Sequence, residues 1–134
     1  MITLALRTPL AKAVKGGFKD TELDYMVYTL LKQLLNKSNI DPALIEDVCL
    51  GNVNDGKAAY LVRAASLAAG IPHTAGGSSV NRFCSSGLKA VQDIANQISL
   101  GSIDVGRSEE RFSRNAETEW SISYAVFCLK KKFF

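Results

Sequence analysis

Apolar residues gather along this chain in short runs and in one-sided stripes, and the two patterns predict different elements. Ile2-Thr3-Leu4-Ala5-Leu6 predicts a short apolar strand, followed by Arg7-Thr8-Pro9 and a polar loop around Gly16-Gly17. Leu23, Met26, Val27, Leu30, Leu31, Leu34 and Leu35 then recur at helical spacing, the stripe of an amphipathic helix. Thr21 and Asp24 have the spacing of a capping box at its start. Asp41-Pro42 puts a capping side chain and a first-turn proline ahead of a short helical turn. Val48-Cys49-Leu50 predicts a buried strand ending at Gly51.

An alanine-rich helix is predicted from about Ala58 to Ala69, stopped by Gly70 with Pro72 beyond it. Small residues on most of its surface call for close packing. Ser78–Asn81 is a short extended segment leading through a Cys-Ser-Ser-Gly turn into a third helix, with Leu88, Val91, Ile94, Ala95 and Ile98 on one face and Gly101 at its end. Strands alternating with helices at this spacing predict an α/β layered domain with parallel strands. After Gly106 the pattern is lost: Arg107–Glu119 is charged and aperiodic, and Trp120–Phe134 mixes aromatics with a basic end.

Composition narrows the picture. At 134 residues the chain suits one domain, and 47% hydrophobic with 22% charged residues is globular composition. The net charge of +3 has no basic patch behind it except Lys130-Lys131-Lys132, which reads as a solvated tail, so nucleic acid is set aside as a partner. Three widely spaced cysteines, Cys49, Cys84 and Cys128, argue against a disulfide framework and for a reducing compartment. A single histidine, His73, and no Cys-x-x-Cys pair leave no metal site to assemble. No apolar run approaches the roughly 20 residues of a membrane span. No signal-peptide pattern precedes Arg7 and Pro9, and Ile2–Leu6 reads as the middle of a strand, so any targeting segment would lie upstream of it.

The strongest chemical signal is Val80-Asn81-Arg82-Phe83-Cys84-Ser85-Ser86-Gly87, a strand passing through a tight turn into a helix. A thiol at a helix start faces backbone N–H groups and the positive end of the macrodipole, which favour the attacking thiolate. The same groups could hold an oxyanion as it forms. From position alone, a cysteine that merely packs is the plainer reading.

The surrounding residues change that preference. Asn81-Arg82-x-Cys84-x-Ser86-Gly87 after a short strand resembles the nucleophile motif of the thiolases. Arg7-Thr8-Pro9 resembles the family's opening, and Gly16-Gly17-Phe18-Lys19-Asp20 and Gly51-Asn52-Val53 resemble loops of the peroxisomal 3-ketoacyl-CoA thiolases. Ala69-Gly70-Ile71-Pro72 and Gly101-Ser102-Ile103-Asp104-Val105-Gly106 fall in the family's order and spacing. The resemblance implies an incomplete thiolase-type layered α/β domain, the N-terminal half only, over residues 1–106. Residues 107–134 are an unmatched tail of the kind a frameshift or misjoined exon produces.

What the resemblance further implies is acyl transfer in fatty-acid β-oxidation. Cys84 would be the nucleophile that forms an acyl-thioester, and its backbone N–H an oxyanion donor. The substrate would be a 3-ketoacyl-CoA and coenzyme A the co-substrate, with no bound cofactor and no metal. The histidine and second cysteine that complete such sites come from a C-terminal domain and match nothing here, so isolated activity is not expected and a non-catalytic remnant is the rival reading. Asn81, Arg82 and Gly87 are expected to shape the turn, and Phe83 stands where many relatives carry glutamine. Self-association as dimers or tetramers is implied, helped by a bare Leu88, Val91, Ile94 and Ile98 face. Peroxisomal location is implied, with mitochondrial or cytoplasmic alternatives.

A second motif competes with this one. Gly51-Asn52-Val53-Asn54-Asp55-Gly56-Lys57-Ala58 nearly matches a phosphate-binding loop, yet Ala58 replaces the magnesium-binding hydroxyl and Asp55 sets a negative charge where phosphate must sit. An ordinary connecting loop is the expectation.

Overall fold

The computed structural model of this chain describes residues 1–9, 11–12, 15–111, 121–122 and 124–130. Trp120 and Lys131-Lys132, which the sequence singles out in the tail, lie outside the described residues.

Ile2–Arg7 forms strand β1 and Ala11–Lys12 a short strand β2. Helix α1 spans Leu23–Ser38, and all seven residues of the predicted leucine-rich stripe are buried. The capping box is not formed. The helix starts after Glu22 without a side-chain cap, and the Asp24 carboxylate accepts instead from the N–H of Tyr25. At Pro42–Leu44 the predicted cap is made: Asp41 Oδ1 accepts from the Ala43 N–H at 2.9 Å, opening a single 3₁₀ turn. Strand β3 follows at Asp47–Gly51.

Helix α2 occupies Ala58–Ala69, the predicted span. Gly70 closes it at φ 98°, where its N–H reaches the Leu67 carbonyl and the Ile71 N–H reaches the Ser66 carbonyl, the paired bonds of a Schellman ending. Only glycine takes that φ without a Cβ penalty. Strand β4 is Gly76–Val80, helix α3 is Ser86–Ser99, and strand β5 is Val105–Arg111. Ser121–Ile122 and Tyr124–Lys130 give strands β6 and β7.

The main sheet has the order β1-β7-β5-β3-β4, and a small second sheet joins β2 to β6. β5 and β4 run parallel to β3 on either side of it, as predicted, whereas β7 lies antiparallel between β1 and β5. The expectation that nothing beyond Gly106 continues the α/β rhythm is corrected here. β5 runs on to Arg111 beside β3, and β7 fills the slot between β5 and β1. Pairing with neighbouring strands holds this part of the chain in line.

Helices α1 and α2 cover one face of the sheet, packing Leu31, Leu34, Val27 and Val62 against Val48, Leu50 and Val105. α3 covers the opposite face with Ala90, Ile94 and Ile98 over Cys49. The α3 stripe is therefore covered by the sheet and not bare. Leu88, assigned to it from the sequence, points away at 71% exposure. It lies one turn before the polar Gln92 and on the side of the helix away from Ala90. No described helix is long and apolar enough to cross a membrane.

Candidate active site

The turn between β4 and α3 lies at the carboxyl end of the parallel strands, the usual place for a site in an open α/β sheet. It is anchored by close backbone packing. A Cβ added to Gly51, at the end of β3, would lie 2.6 Å from the Gly87 nitrogen and 2.6 Å from the Ser86 carbonyl carbon. Only glycine at position 51 lets the start of α3 approach this closely, and the Asn52 N–H then reaches across to the Val80 carbonyl at 3.0 Å.

Within the turn, Arg82 and Phe83 are held at every backbone polar group. The Arg82 N–H donates to Ser86 Oγ at 2.8 Å, and the Arg82 carbonyl accepts from both the N–H and the hydroxyl of Ser85. The Phe83 N–H donates to Asn81 Oδ1 at 3.0 Å, while its carbonyl accepts from the Ser86 N–H and, at 2.6 Å, from the Ser86 hydroxyl. Asn81 is tied to the neighbouring loop by its Nδ2, which donates to the Val53 carbonyl. These bonds keep Phe83 at φ 48°, the left-handed region. That conformation costs a bulky residue about 1–3 kcal/mol. Each hydrogen bond contributes about 0.5–1.5 kcal/mol net, so the set outweighs the strain.

Cys84 follows immediately, exposed, two residues before the first residue of α3. Phe83 beside it is 77% exposed. The other described cysteine is unlike it in every respect. Cys49 is buried in β3, and burial pushes its thiol above the ordinary range, with Asp93 and Asp47 adding to the rise and a hydrogen bond with Ser78 and the charge of Lys89 opposing it. Cys128 lies in β7, where its backbone alone is described.

His73 lies in the loop before β4, at the end of the strand opposite to Cys84, and its carbonyl accepts from Arg63. The strand between them is about 13 Å long at about 3.3 Å per residue, beyond the reach of proton transfer. The structure does not bring His73 and Cys84 together. No group of three or more metal-ligating side chains occurs among the described residues. The phosphate-loop look-alike is disarmed by its own side chains: Asn52 Oδ1 accepts from the Asn54 and Asp55 N–H groups, and Asp55 Oδ1 accepts from the Lys57 N–H. Amides that a phosphate would need are already bonded.

Sequence reasoning passed over Ser86. It is 2% exposed and its hydroxyl joins two residues of the turn, so it holds the site together without facing solvent. The signal was available in the motif, since a hydroxyl at the first helical position after a tight turn can bond backwards.

Comparison with known proteins identifies the fold's relatives. A family model described as the thiolase N-terminal domain matches residues 1–110. The peroxisomal 3-ketoacyl-CoA thiolase B of Candida tropicalis is 50% identical over 107 residues, which are 79% of this chain and 26% of that protein. The chain thus spans about a quarter of the length of the curated relatives it matches. The peroxisomal 3-ketoacyl-CoA thiolase of Saccharomyces cerevisiae, a five-layered structure of two core domains with identical topology, superimposes with a TM-score of 0.85 at 25% identity, covering 97% of this chain and 60% of that one. The dimeric peroxisomal thiolase of the same yeast gives a TM-score of 0.77 at 43% identity, covering 82% of this chain and 30% of that one. With the family's N-terminal domain matched by residues 1–110 and the α/β fold shared with a solved thiolase, this chain belongs to the thiolase family.

Proposed function

We propose that this chain carries the nucleophile of a 3-ketoacyl-CoA thiolase, an acetyl-CoA C-acyltransferase of fatty-acid β-oxidation. The observation that carries the reading is an exposed Cys84 on a fully hydrogen-bonded strand–turn–helix, in a chain half identical to a peroxisomal enzyme of that name. In the reaction, the Cys84 thiolate adds to the C3 carbonyl of a 3-ketoacyl-CoA, and the backbone N–H of Cys84 stabilises the oxyanion. The C2–C3 bond then breaks, its electron pair leaves on C2, and a proton there completes acetyl-CoA. The acyl group stays as a thioester on Cys84 until the thiolate of coenzyme A attacks it and releases Cys84. The hard carbon–carbon cleavage is divided into two easier steps.

The described residues bring no proton donor or acceptor of the required kind to Cys84, since His73 is at the far end of β4 and Cys49 is buried. The 134 residues by themselves are therefore expected to lack steady-state turnover, because acid–base help is typically worth about 10²–10⁴-fold. The division at residue 106 belongs to this proposal, with residues 107–134 as a tail of separate origin, although the family's N-terminal domain matches on to residue 110 and the tail's first residues complete β5. Peroxisomal location follows from the same relatives. Self-association is supported by the open edge of β4, whose Gly76–Ser79 is exposed on both faces and, among the described residues, pairs on one side only.

The rival is a non-catalytic remnant that at most binds a partner. Incubation of the chain with a 3-ketoacyl-CoA, followed by intact-mass and peptide mass spectrometry, separates the two. An acyl adduct on Cys84 that coenzyme A removes supports the acyltransfer reading. Absence of any adduct on Cys84, in a chain whose Cys84 alkylates freely, supports the remnant.

A further inference from the structure

We infer that Ser86 is a positioning residue for the nucleophile: its buried hydroxyl holds the Phe83–Cys84 peptide so that the Cys84 N–H points away from the protein side of the turn. The inference rests on Cys84 being the nucleophile, and it adds the device that aims it.

The geometry points there step by step. The Ser86 hydroxyl donates to the Phe83 carbonyl at 2.6 Å and accepts from the Arg82 N–H at 2.8 Å, so one oxygen atom ties the carbonyl end of the left-handed residue to the amide of the residue before it. The peptide between Phe83 and Cys84 is planar and trans, as no cis bonds occur among the described residues. In such a plane the carbonyl and the following N–H are antiparallel. Fixing the Phe83 carbonyl toward Ser86 therefore fixes the Cys84 N–H in the opposite direction and sets the Cα–Cβ bond that carries the sulfur.

Phe83 has no conformational reason to stay where it is. A phenylalanine at φ 48° returns to the ordinary regions if its restraints are removed, and the following peptide turns with it. Asn81 restrains the amide side of Phe83, and Ser86 the carbonyl side, which belongs to the peptide that contains the Cys84 N–H: its backbone N–H donates there at 3.1 Å and its hydroxyl more closely at 2.6 Å. Gly51 acts at a different point, since its closest approach is to the backbone of Ser86 and Gly87. The hydroxyl is 2% exposed, so water does not compete for it.

The test uses the full 134-residue chain and three variants: Ser86→Ala, Ser86→Thr, and Ser86→Ala combined with Phe83→Gly. The readouts are the iodoacetamide labelling rate of Cys84 at fixed neutral pH, by peptide mapping, and the three-bond HN–Hα coupling of residue 83, which reports φ. Neither needs coenzyme A or turnover, so they can fail while the acyltransfer reading stands, and the reverse. Ser86→Ala is expected to label Cys84 about 2–5-fold more slowly, the size of a lost helix-start interaction, with the Phe83 coupling moved off its native value. Ser86→Thr, which keeps the hydroxyl, is expected to behave as native. The double variant is expected to recover most of the rate, because glycine takes positive φ freely. A folded Ser86→Ala chain with native rate and coupling overturns the inference, and so does equal slowing by alanine and threonine, which would mark a packing effect. Should Ser86→Ala fail to fold by circular dichroism, Ser86→Thr decides: native labelling supports the inference, and several-fold slower labelling in a folded threonine variant overturns it.

Discussion

Two polar regions of this molecule, an exposed turn on a buried serine and a buried stretch of strand, are built in opposite ways. In the Asn81–Ser86 turn every backbone polar group of Arg82 and Phe83 has a partner, and the side chains that supply them are three to four residues away or fewer. In β5, Arg107 and Ser108 are each 0% exposed in the middle of the sheet, opposite Val48 and Cys49 of β3. Arg107 shares its face with the most apolar part of the core, and the Ser108 hydroxyl has no hydrogen-bond partner among the described residues. The turn is a place where local sequence and tertiary structure ask for the same thing. The strand is a place where they conflict, which marks sequence not matched to its position. The contrast teaches that burial alone says little about function. A buried polar group bonded in sequence-local fashion is a built device, and a buried hydroxyl left unbonded among the described residues, as at Ser108, is a liability.

The largest expected effect removes the support of the turn. Gly51→Val places side-chain carbon against backbone atoms at 2.6 Å that cannot step aside, and is expected to abolish the cooperative unfolding transition in urea, with Cys84 and Cys49 then labelling alike. A folded variant that still discriminates the two thiols would show that the start of α3 can shift without loss.

Next in size is the conflicted strand. Ser108→Ala deletes a buried hydroxyl that has no hydrogen-bond partner among the described residues, and is expected to stabilise the chain by about 1–3 kcal/mol, read as a higher urea midpoint with unchanged slope. A fall in stability would sharpen the comparison differently, by showing that the Ser108 hydroxyl is satisfied in its surroundings.

The smallest effect concerns pH. Burial raises the Cys49 thiol, so the folded chain keeps a proton that the unfolded chain has already released. This contribution to stability is fully present below the ordinary thiol range and is lost as pH rises through the raised value. Urea midpoints from about pH 7 to about pH 10 are expected to fall more steeply for the native chain than for Cys49→Ala. Parallel curves would mean that Cys49 is not the group responsible.

Much of this protein is determined by its sequence alone. The stripe from Leu23 to Leu35 and the alanine-rich run ended by Gly70 needed nothing beyond helical spacing and a glycine that tolerates positive φ, because these are rules about residues within a few positions of one another. The turn around Cys84 was legible for the same reason, since its restraints come from Asn81, Ser85 and Ser86. Three things were decided only by tertiary structure. Leu88 faces solvent because the sheet meets α3 along Ala90, Ile94 and Ile98, and a five-member apolar set cannot say which of its edges the partner will cover. β5 extends through Arg107 and Ser108 because β3 and β7 offer hydrogen-bonding edges on both sides, although these residues carry no strand pattern of their own. Gly51 is required by a contact with Gly87, 36 positions along the chain, and close approach between distant backbones leaves no trace in local spacing.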